Sequence, residues 1–327
     1  MQAGGAQAIV TDIATGLTRR GHAVRLFCAD GSDVPGVELH TVPRPSDAGR
    51  ALVMPGGPAP APSPFVTAAL VAMFEAVLAS DVDVVSQHAF DAPAFDLARD
   101  LPVLHTLHLP PIVPSVVEAV TRVPQVRLAT VSESCRQSWN DVGVRVGHVL
   151  RNGVADIPVG SPPVDRVALV AGRLSPEKGI EDALRAARAV GLRVRIAGAL
   201  YDPNYRFDTD GAELMGALTR EELRHVMAAS AVTVCAVHWD EPFGLVAAEA
   251  QMAGCPVAAY RRGALPEVVE EGVGGVLVDP DDTDALASAI RECLALDRQL
   301  VRSSAQGRLG LEAALDAYES ALAGAAL

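Results

Sequence analysis

Residues 167–198 read VALVAGRLSPEKGIEDALRAARAVGLRVRIAG: a continuous apolar run, a turn rich in Gly and Pro, a helix-length amphipathic segment and a second apolar run. Short strands that are apolar on both faces belong to parallel sheets covered by helices, and a strand, helix and strand in close succession is the βαβ unit from which such sheets are built. The pattern continues with a helix over 220–229, the strand AVTVCAV, a helix over 244–253, the strand CPVAAY and a final strand near GGVLV. It also fills the first half. Ile9, Val10, Ile13 and Leu17 set a helix over 6–20, Gly21 and His22 stop it, and AVRLF at 23–27 is a strand. A helix-like segment at 65–79 leads to the strand DVDVVSQH, the strand LPVLHTLH at 101–108, a helix around 112–123 and the strand RLATVS at 127–132. A helix opening near Ser132 or Glu133 and the segment HVLRNG at 148–153 close this half. VADIPVGSPPVDR then has the Pro and Gly content of an interdomain connection, so the expected architecture is α/β, with two parallel-sheet domains facing one cleft. Residues 283–325 are mainly helical and long enough to pack back across the junction. The Pro- and Gly-rich stretch 43–64 is expected to form a mobile loop.

One element of the pattern is missing. A doubly wound domain needs a strand before helix 6–20, normally a central one, but only MQAGG precedes that helix. Its loss would leave both neighbouring strand edges exposed. The expectation is further residues upstream or an unusual amino terminus.

The formal net charge of −13 argues against nonspecific binding to DNA or RNA. No long unbroken apolar segment or signal sequence is present, so a cytoplasmic protein without stable membrane insertion is expected. The five cysteines, Cys28, Cys135, Cys235, Cys255 and Cys293, are scattered and odd in number, as buried small hydrophobes are and disulfide scaffolds or zinc sites are not. Lys178 is the single lysine of the chain, which makes its position worth explaining.

Lys178 lies in the turn AGRLSPEKG, directly after a buried-type strand, where open parallel sheets bind ligands. Ser175 reads as a helix N-cap and Pro176 as the first helical residue, which puts Lys178 against an unfavourable helix dipole. A bound anion reverses that objection: Arg173, Lys178 and backbone N–H groups can surround a diphosphate. The alternative is a surface lysine and an interdomain arginine salt bridge. The turn does not have P-loop spacing. The second site is HWDEPFGLVAAEAQM, 238–252. Pro242 marks a helix start near Phe243 or Gly244, and Leu245, Glu249 and Met252 then share a face that should be buried, where a carboxylate needs a partner. Gly244 allows a phosphate or sugar to approach the backbone donors of Phe243, Gly244 and Leu245, and Glu241 and Glu249 can grip hydroxyls at two points of one nucleotide sugar. The alternatives are a pre-helix turn acid for Glu241 and a buried salt bridge for Glu249. His238, Trp239 and Asp240 stand close enough to shape a substrate. In the first half, His105 and His108 sit at a strand end before Pro110 and Pro111, and either can be structural or donate to a substrate. No further metal ligands are signalled. Gly4 and Gly5 before a helix form a weak anion-approach signal, Asn152-Gly153 is a hinge turn or a cleft contact, and Tyr201 is a possible cleft residue.

Together AGRLSPEKG and HWDEPFGLVAAEAQMAGCPVAAYRRGALPEVV resemble the retaining nucleotide-sugar glycosyltransferases of family 4, and the resemblance extends to GGAQAIVTDIATGLTRRGHAVRLF, LHTLH, TVSES and RNG. It implies the GT-B fold, two Rossmann-like parallel-sheet domains facing a central cleft. An acceptor-side domain would span 1–156 and a nucleotide-sugar-binding domain 157–308, with a helix in 309–327 packing back on the first. It implies transfer of a sugar from an NDP-sugar donor, used as co-substrate, to a hydroxyl of a small molecule or glycoconjugate, with retention at the anomeric carbon and usually no essential divalent metal. Arg173 and Lys178 match residues that contact the donor phosphates. Glu241 matches the first acid of the Glu-seven-Glu pattern, near the donor sugar, and Glu249 the second, near the ribose hydroxyls. His108 matches a histidine near the reaction centre, and Gly4 and Gly5 match the glycine loop. Departures are the missing first strand and a compact YDPNYRFDTDGAELMGAL. A catalytically impaired nucleotide-sugar-binding protein is the alternative, and an oxidoreductase is disfavoured because no Gly-x-Gly-x-x-Gly turn follows a first strand.

Overall fold

The computed structural model describes residues 5–46, 63–160, 162–200 and 204–326, so Gly4, Tyr201 and most of the 43–64 stretch lie outside the described residues. The chain divides into two compact units, one of residues up to Gly153 joined by Glu312 onward, the other Val154–Leu311.

In the first unit α1 (Gly5–Arg19) buries Ile9, Ile13 and Leu17, a stripe spaced by four residues. β1 (Arg25–Ala29) and β2 (Glu38–Val42) follow and pair in parallel. The chain continues through α2 (Pro64–Leu78), β3 (Val85–Gln87), α3 (Ala92–Leu97), β4 (Val103–Leu107), α4 (Pro114–Val120), β5 (Leu128–Thr130), α5 (Glu133–Asp141) and β6 (His148–Val149). Helices α2, α3 and α4 each carry proline in the first turn, where a missing N–H costs nothing. The Ser132 hydroxyl caps α5 by accepting from Cys135 N at 3.0 Å. β3 to β6 form a parallel sheet in the order β3-β4-β5-β6, separate from the β1-β2 pair. Among the described residues no strand precedes α1, and the sheet of this unit is in two pieces. β4 is buried along its whole length and Trp139 is fully buried beside it, its Nε1–H donating to Leu109 O at 3.0 Å.

The second unit contains β7 (Asp165–Ala171), α6 (Ile180–Ala189), β8 (Arg193–Ala197), β9 (Ala212–Gly216), α7 (Arg220–Ala229), β10 (Ser230–Cys235), α8 (Leu245–Met252) and β11 (Val257–Tyr260). It ends with α9 (Leu265–Val268), β12 (Gly275–Val278), α10 (Thr283–Cys293) and α11 (Arg298–Leu309). All strand pairs are parallel, in the order β12-β11-β10-β7-β8-β9. Chain order thus reverses between β7 and β10, the place where doubly wound sheets leave a crevice beyond their carboxyl ends. The last helix, α12 (Leu311–Ala325), belongs from Glu312 on with the first unit. Leu315 packs against Gly16 so closely that a Cβ there would come within 2.5 Å of it, and Arg20 pairs with Glu312, Asp316 and Glu319.

Three local expectations need correction. The helix expected to open at Pro176 is broken into a 3-10 turn, Pro176–Lys178, a left-handed Gly179 with φ 60°, and α6. Lys178 therefore ends a short turn and does not face the dipole of a long helix. Ser175 accepts no cap bond; its hydroxyl donates to Glu177 Oε1 at 2.7 Å. The helix expected from Phe243 or Gly244 starts at Leu245, with Gly244 left-handed at its N-cap. The edge strands β2 and β9 were not anticipated. All five cysteines are free thiols, four of them buried.

Candidate active site

The carboxyl ends of β7 and β10 open into a pocket of about 450 Å³, continuous with solvent, whose wall includes Arg173, Lys178, Cys235, Glu241 and Gly244. Beyond β7 the chain passes Gly172, in the positive-φ region at 118°, and then Arg173. Gly179 must be glycine for two reasons: its backbone is left-handed, and a Cβ would run into the carbonyl of Ala236. That close approach, together with the His238 N–H donating to Glu177 O at 2.9 Å, locks the Lys178 turn against the end of β10.

Every charged group of this pocket is already paired. Lys178 Nζ donates to Glu241 Oε2 at 2.6 Å, and Arg173 Nη2 donates to Glu177 Oε1 at 3.2 Å. Glu177 is buried, and its other oxygen, Oε2, has no hydrogen-bond partner among the described residues. Glu241 also accepts from the Trp239 indole N–H at 2.8 Å. Its main chain is clamped by Ala264 N donating to Glu241 O at 2.8 Å and by Gly263, where a side chain would strike the Glu241 backbone. Cys235 is a neutral thiol, its pKa pushed up to about 12, first by burial and then by Glu241. Gly244 has φ 89°, and a Cβ there would come within 2.8 Å of Leu265. Its conformation delivers the first turn of α8, whose N–H groups precede the first intrahelical bond, to the pocket wall, where Val246 and Ala247 line it.

Glu249 lies at the start of the second turn of α8 and is not in that wall. Its Oε1 accepts from Arg220 Nε at 3.0 Å and from Arg224 Nη2 at 3.2 Å. The arginines stand four apart on α7, which opens with a capping box between Thr219 and Glu222. The Arg224 side chain is 1% exposed and that of Glu249 7%. Protein cations therefore satisfy one oxygen of this buried acid. That is the salt-bridge alternative for Oε1.

In the first unit His88 and His108 directly follow β3 and β4, at the carboxyl ends of two paired parallel strands. His88 Nδ1 and His108 Nε2 are 2.9 Å apart, and His88 Nε2 lies 2.8 Å from Ser86 Oγ. Tyr318 of α12 sets its ring 6.2 Å from that of His88. Burial holds both imidazoles neutral: His88 falls well below the usual histidine value, helped by His108, and His108 falls to about 4. His105 is a core residue, 1% exposed, stacked on Phe95 at 5.0 Å and bonded to Gln87 Oε1 at 3.2 Å. Gly5 begins α1, and Asn152 is buried.

Among the described residues one group, Asp182, His238 and Asp281, brings three metal-type ligand atoms within 4.8 Å. It lies outside the pocket wall and is already paired: Tyr260 donates to Asp182 at 2.9 Å and Arg262 to Asp281 at 2.5 Å. Among the described residues no helix is long and apolar enough to cross a membrane.

Both units have counterparts in known families. Residues 3–156 match Glycosyltransferase Family 4, and residues 157–309 match Glycosyl transferases group 1. The chain is a glycosyltransferase family 4-like protein. A D-inositol 3-phosphate glycosyltransferase of Mycolicibacterium smegmatis is 37% identical over 163 residues, 45% of this chain and 37% of that protein. The first curated relatives are thus matched over little more than a third of their length, 37% and 38%. A protein of the same name from Segniliparus rotundus is 29% identical over 405 aligned residues, covering 99% of this chain and 86% of its own. Among solved structures, Anabaena HepE in complex with UDP-glucose superposes with a TM-score of 0.74 at 18% identity, over 99% of this chain and 97% of that one. AviGT4, a glycosyltransferase involved in avilamycin A biosynthesis, gives 0.70 at 23% identity, over 99% and 90%. The fold of this chain is two Rossmann-like parallel-sheet domains, the GT-B architecture.

Arg173, Lys178, Glu241 and Gly244 thus meet in one pocket, and Phe243 is buried just behind it. The Trp239 bond to Glu241, the identity of the two arginines in the salt bridge to Glu249 and the partner of His108 lie outside the expectations from the sequence. Arg220 and Arg224, spaced four apart on a helix, carried a local signal; the others meet only in three dimensions.

Proposed function

We propose that this protein transfers a sugar from an NDP-sugar donor to an acceptor hydroxyl with retention at the anomeric carbon. The observation that carries the reading is the meeting of Arg173, Lys178 and Glu241 in one pocket at the switch point of the second unit's sheet. Two cations and the first turn of α8 suit a diphosphate, and an acid beside them suits sugar hydroxyls. In the reaction the bond from the anomeric carbon to the donor's phosphate oxygen breaks, and the acceptor oxygen bonds to that carbon on the same face. The acceptor proton passes to the leaving phosphate, so no protein nucleophile is required. Arg173 and Lys178 stabilise charge growing on the diphosphate, which is where fixed electrostatics lower a barrier most. Glu241 orients the sugar, Glu249 receives a ribose hydroxyl, and His108 contacts the transferred sugar as a neutral donor. Gly4, Gly5 and the backbone of Phe243, Gly244 and Leu245 complete donor binding. We assign the protein to the cytoplasm and the reaction to biosynthesis of small molecules or glycoconjugates, without an essential divalent metal.

Relatives named for D-inositol 3-phosphate and a structural neighbour holding UDP-glucose make these the first acceptor and donor to test. The experiment is product analysis with UDP-, GDP- and ADP-sugars against a panel of hydroxyl acceptors in the presence of chelator. A glycosylated product appearing with the nucleoside diphosphate, its anomeric configuration that of the donor, is the expected result. Folded protein that binds a nucleotide sugar but never transfers it would replace this reading with that of a binding protein.

A further inference from the structure

Glu241 Oε2 is reached by two donors at once, Lys178 Nζ at 2.6 Å and the Trp239 indole N–H at 2.8 Å. The ammonium also lies 5.2 Å from the centre of the Trp239 ring, within cation–π range. Trp239 is 7% exposed, so packing fixes its ring beside Glu241. The two donors differ in kind. The lysine is a charge on a flexible stem that a phosphate can draw away, whereas the indole N–H donates only, carries no charge and does not titrate. With the main chain of Glu241 clamped by Gly263 and Ala264, side-chain torsion is the freedom that remains to the acid. An incoming diphosphate competes for the ammonium and brings negative charge towards the carboxylate. Something other than Lys178 must then hold that carboxylate in place.

We propose that Trp239 is the positioning residue of Glu241: its indole N–H retains Oε2 when Lys178 turns to the donor's diphosphate, and thereby keeps Oε1 aimed at a hydroxyl of the transferred sugar. The proposal rests on the donor-transfer reading above. It makes Lys178 the exchangeable partner of the acid and Trp239 the permanent one.

The test removes the N–H without changing shape, by placing 3-benzothienylalanine, in which sulfur replaces the indole N–H, at position 239 by codon suppression. Trp239→Phe serves as the cruder variant. The measurements are kcat and KM for the donor, Tm, and Kd for UDP, GDP and ADP in turn. The benzothienyl protein should keep its Tm and bind the nucleoside diphosphate within about twofold of wild type, while kcat falls roughly 10- to 100-fold, a little below the loss of a direct transition-state donor. Wild-type kcat in that protein, or an equal loss of nucleotide affinity and kcat, overturns the proposal. A second readout is independent of turnover. The chain has two tryptophans, Trp139 and Trp239, so Trp239→Phe leaves only the buried Trp139 to emit. Saturating UDP, GDP or ADP, whichever binds by calorimetry, should shift the wild-type emission as the ammonium leaves the indole, and should leave Trp239→Phe unchanged. An unshifted wild type with bound nucleotide contradicts the exchange. If the wild type neither binds nor turns over any of the nucleotide sugars, the donor reading itself fails and the Trp239 assignment falls with it, an outcome seen without any variant.

Discussion

The pocket of the second unit and the histidine cluster of the first solve the same problem in opposite ways. Both place polar side chains at the carboxyl ends of parallel strands, where a ligand can reach them. The pocket keeps its groups charged and pairs them, Lys178 with Glu241 and Arg173 with Glu177. The cluster removes charge by burial, so that His88 and His108 meet as neutral rings 2.9 Å apart. A paired ion can exchange its partner for an anionic ligand at modest cost, because one charge-assisted bond replaces another. A neutral imidazole offers a hydrogen bond to a hydroxyl and no attraction to a phosphate. The pocket is therefore suited to an anionic ligand and the cluster to uncharged hydroxyls.

The largest effect should come from breaking the exchangeable pair. Lys178→Ala removes the one mobile cation of the pocket wall and is expected to lower kcat by about 10³-fold, the scale of losing a donor aimed at developing charge. Tm should hold, since Trp239 still holds Glu241. His108→Ala should cost much less in nucleotide affinity than Lys178→Ala does, as measured by calorimetry with the same nucleoside diphosphate. Equal losses would erase the division between the two regions.

Next in size is the buried arginine pair. Arg224→Met strips one cation from a carboxylate that is 7% exposed, and removing one partner of a buried pair costs about 3–5 kcal/mol. Chemical denaturation should show that loss. Glu249→Gln keeps size and an acceptor but takes the counter-charge from Arg220 and Arg224, so it should lower stability on a similar scale and weaken nucleotide binding as well. Loss of stability alone, with donor affinity intact, would make Glu249 a structural residue.

How far these features could be read from the sequence follows from how local they are. VALVAGR and EPFGLVAAE declare the strand and the helix that carry the pocket, and both form within two residues of where the pattern puts them. Gly179 was read as part of a helix because nothing in SPEKGIEDAL reveals that the carbonyl of Ala236 will press on it. β2 and β9 were missed because each lies at a sheet edge with exposed side chains, so neither shows the apolar run of a central strand. His88 and His108 are twenty residues apart, and their pairing depends on β3 lying beside β4. Arg224 reads as one of many surface arginines until α7 packs on α8.

The histidines give the next effect, read through pH. His105 and His108 each have a folded pKa of about 4, lowered by burial and, for His105, also by Arg127, against an ordinary value near 6.5. The unfolded chain takes up these protons first, so acid favours unfolding. Above the ordinary value both states are neutral and nothing changes. As pH falls from about 6.5 to 4, each histidine should withdraw up to about 3 kcal/mol of stability. Denaturant midpoints measured across that window should fall steeply for wild type and less steeply for His105→Gln. Parallel curves would mean that His105 is solvated in the native protein.

The smallest effect lies behind the histidine pair. Ser86 Oγ meets His88 Nε2 at 2.8 Å, and a hydroxyl with an imidazole nitrogen as its partner can donate to it. If Ser86 donates, His88 carries its proton on Nδ1 and passes a hydrogen bond to His108 Nε2, which leaves His108 with its own proton on Nδ1. Ser86→Ala removes one neutral hydrogen bond and should cost about 1 kcal/mol. It should not reverse the order, because a buried imidazole without that hydroxyl is better left with a bare lone pair at Nε2 than with an unmet N–H. His108 is therefore expected to remain the Nδ1–H tautomer in both proteins, by long-range proton–nitrogen NMR on histidine-labelled samples, and kcat should change by no more than about threefold. An Nε2–H tautomer on wild-type His108 would reverse the direction of the chain and make His108 an acceptor, so that this region would recognise a hydroxyl by its proton and not by its lone pair.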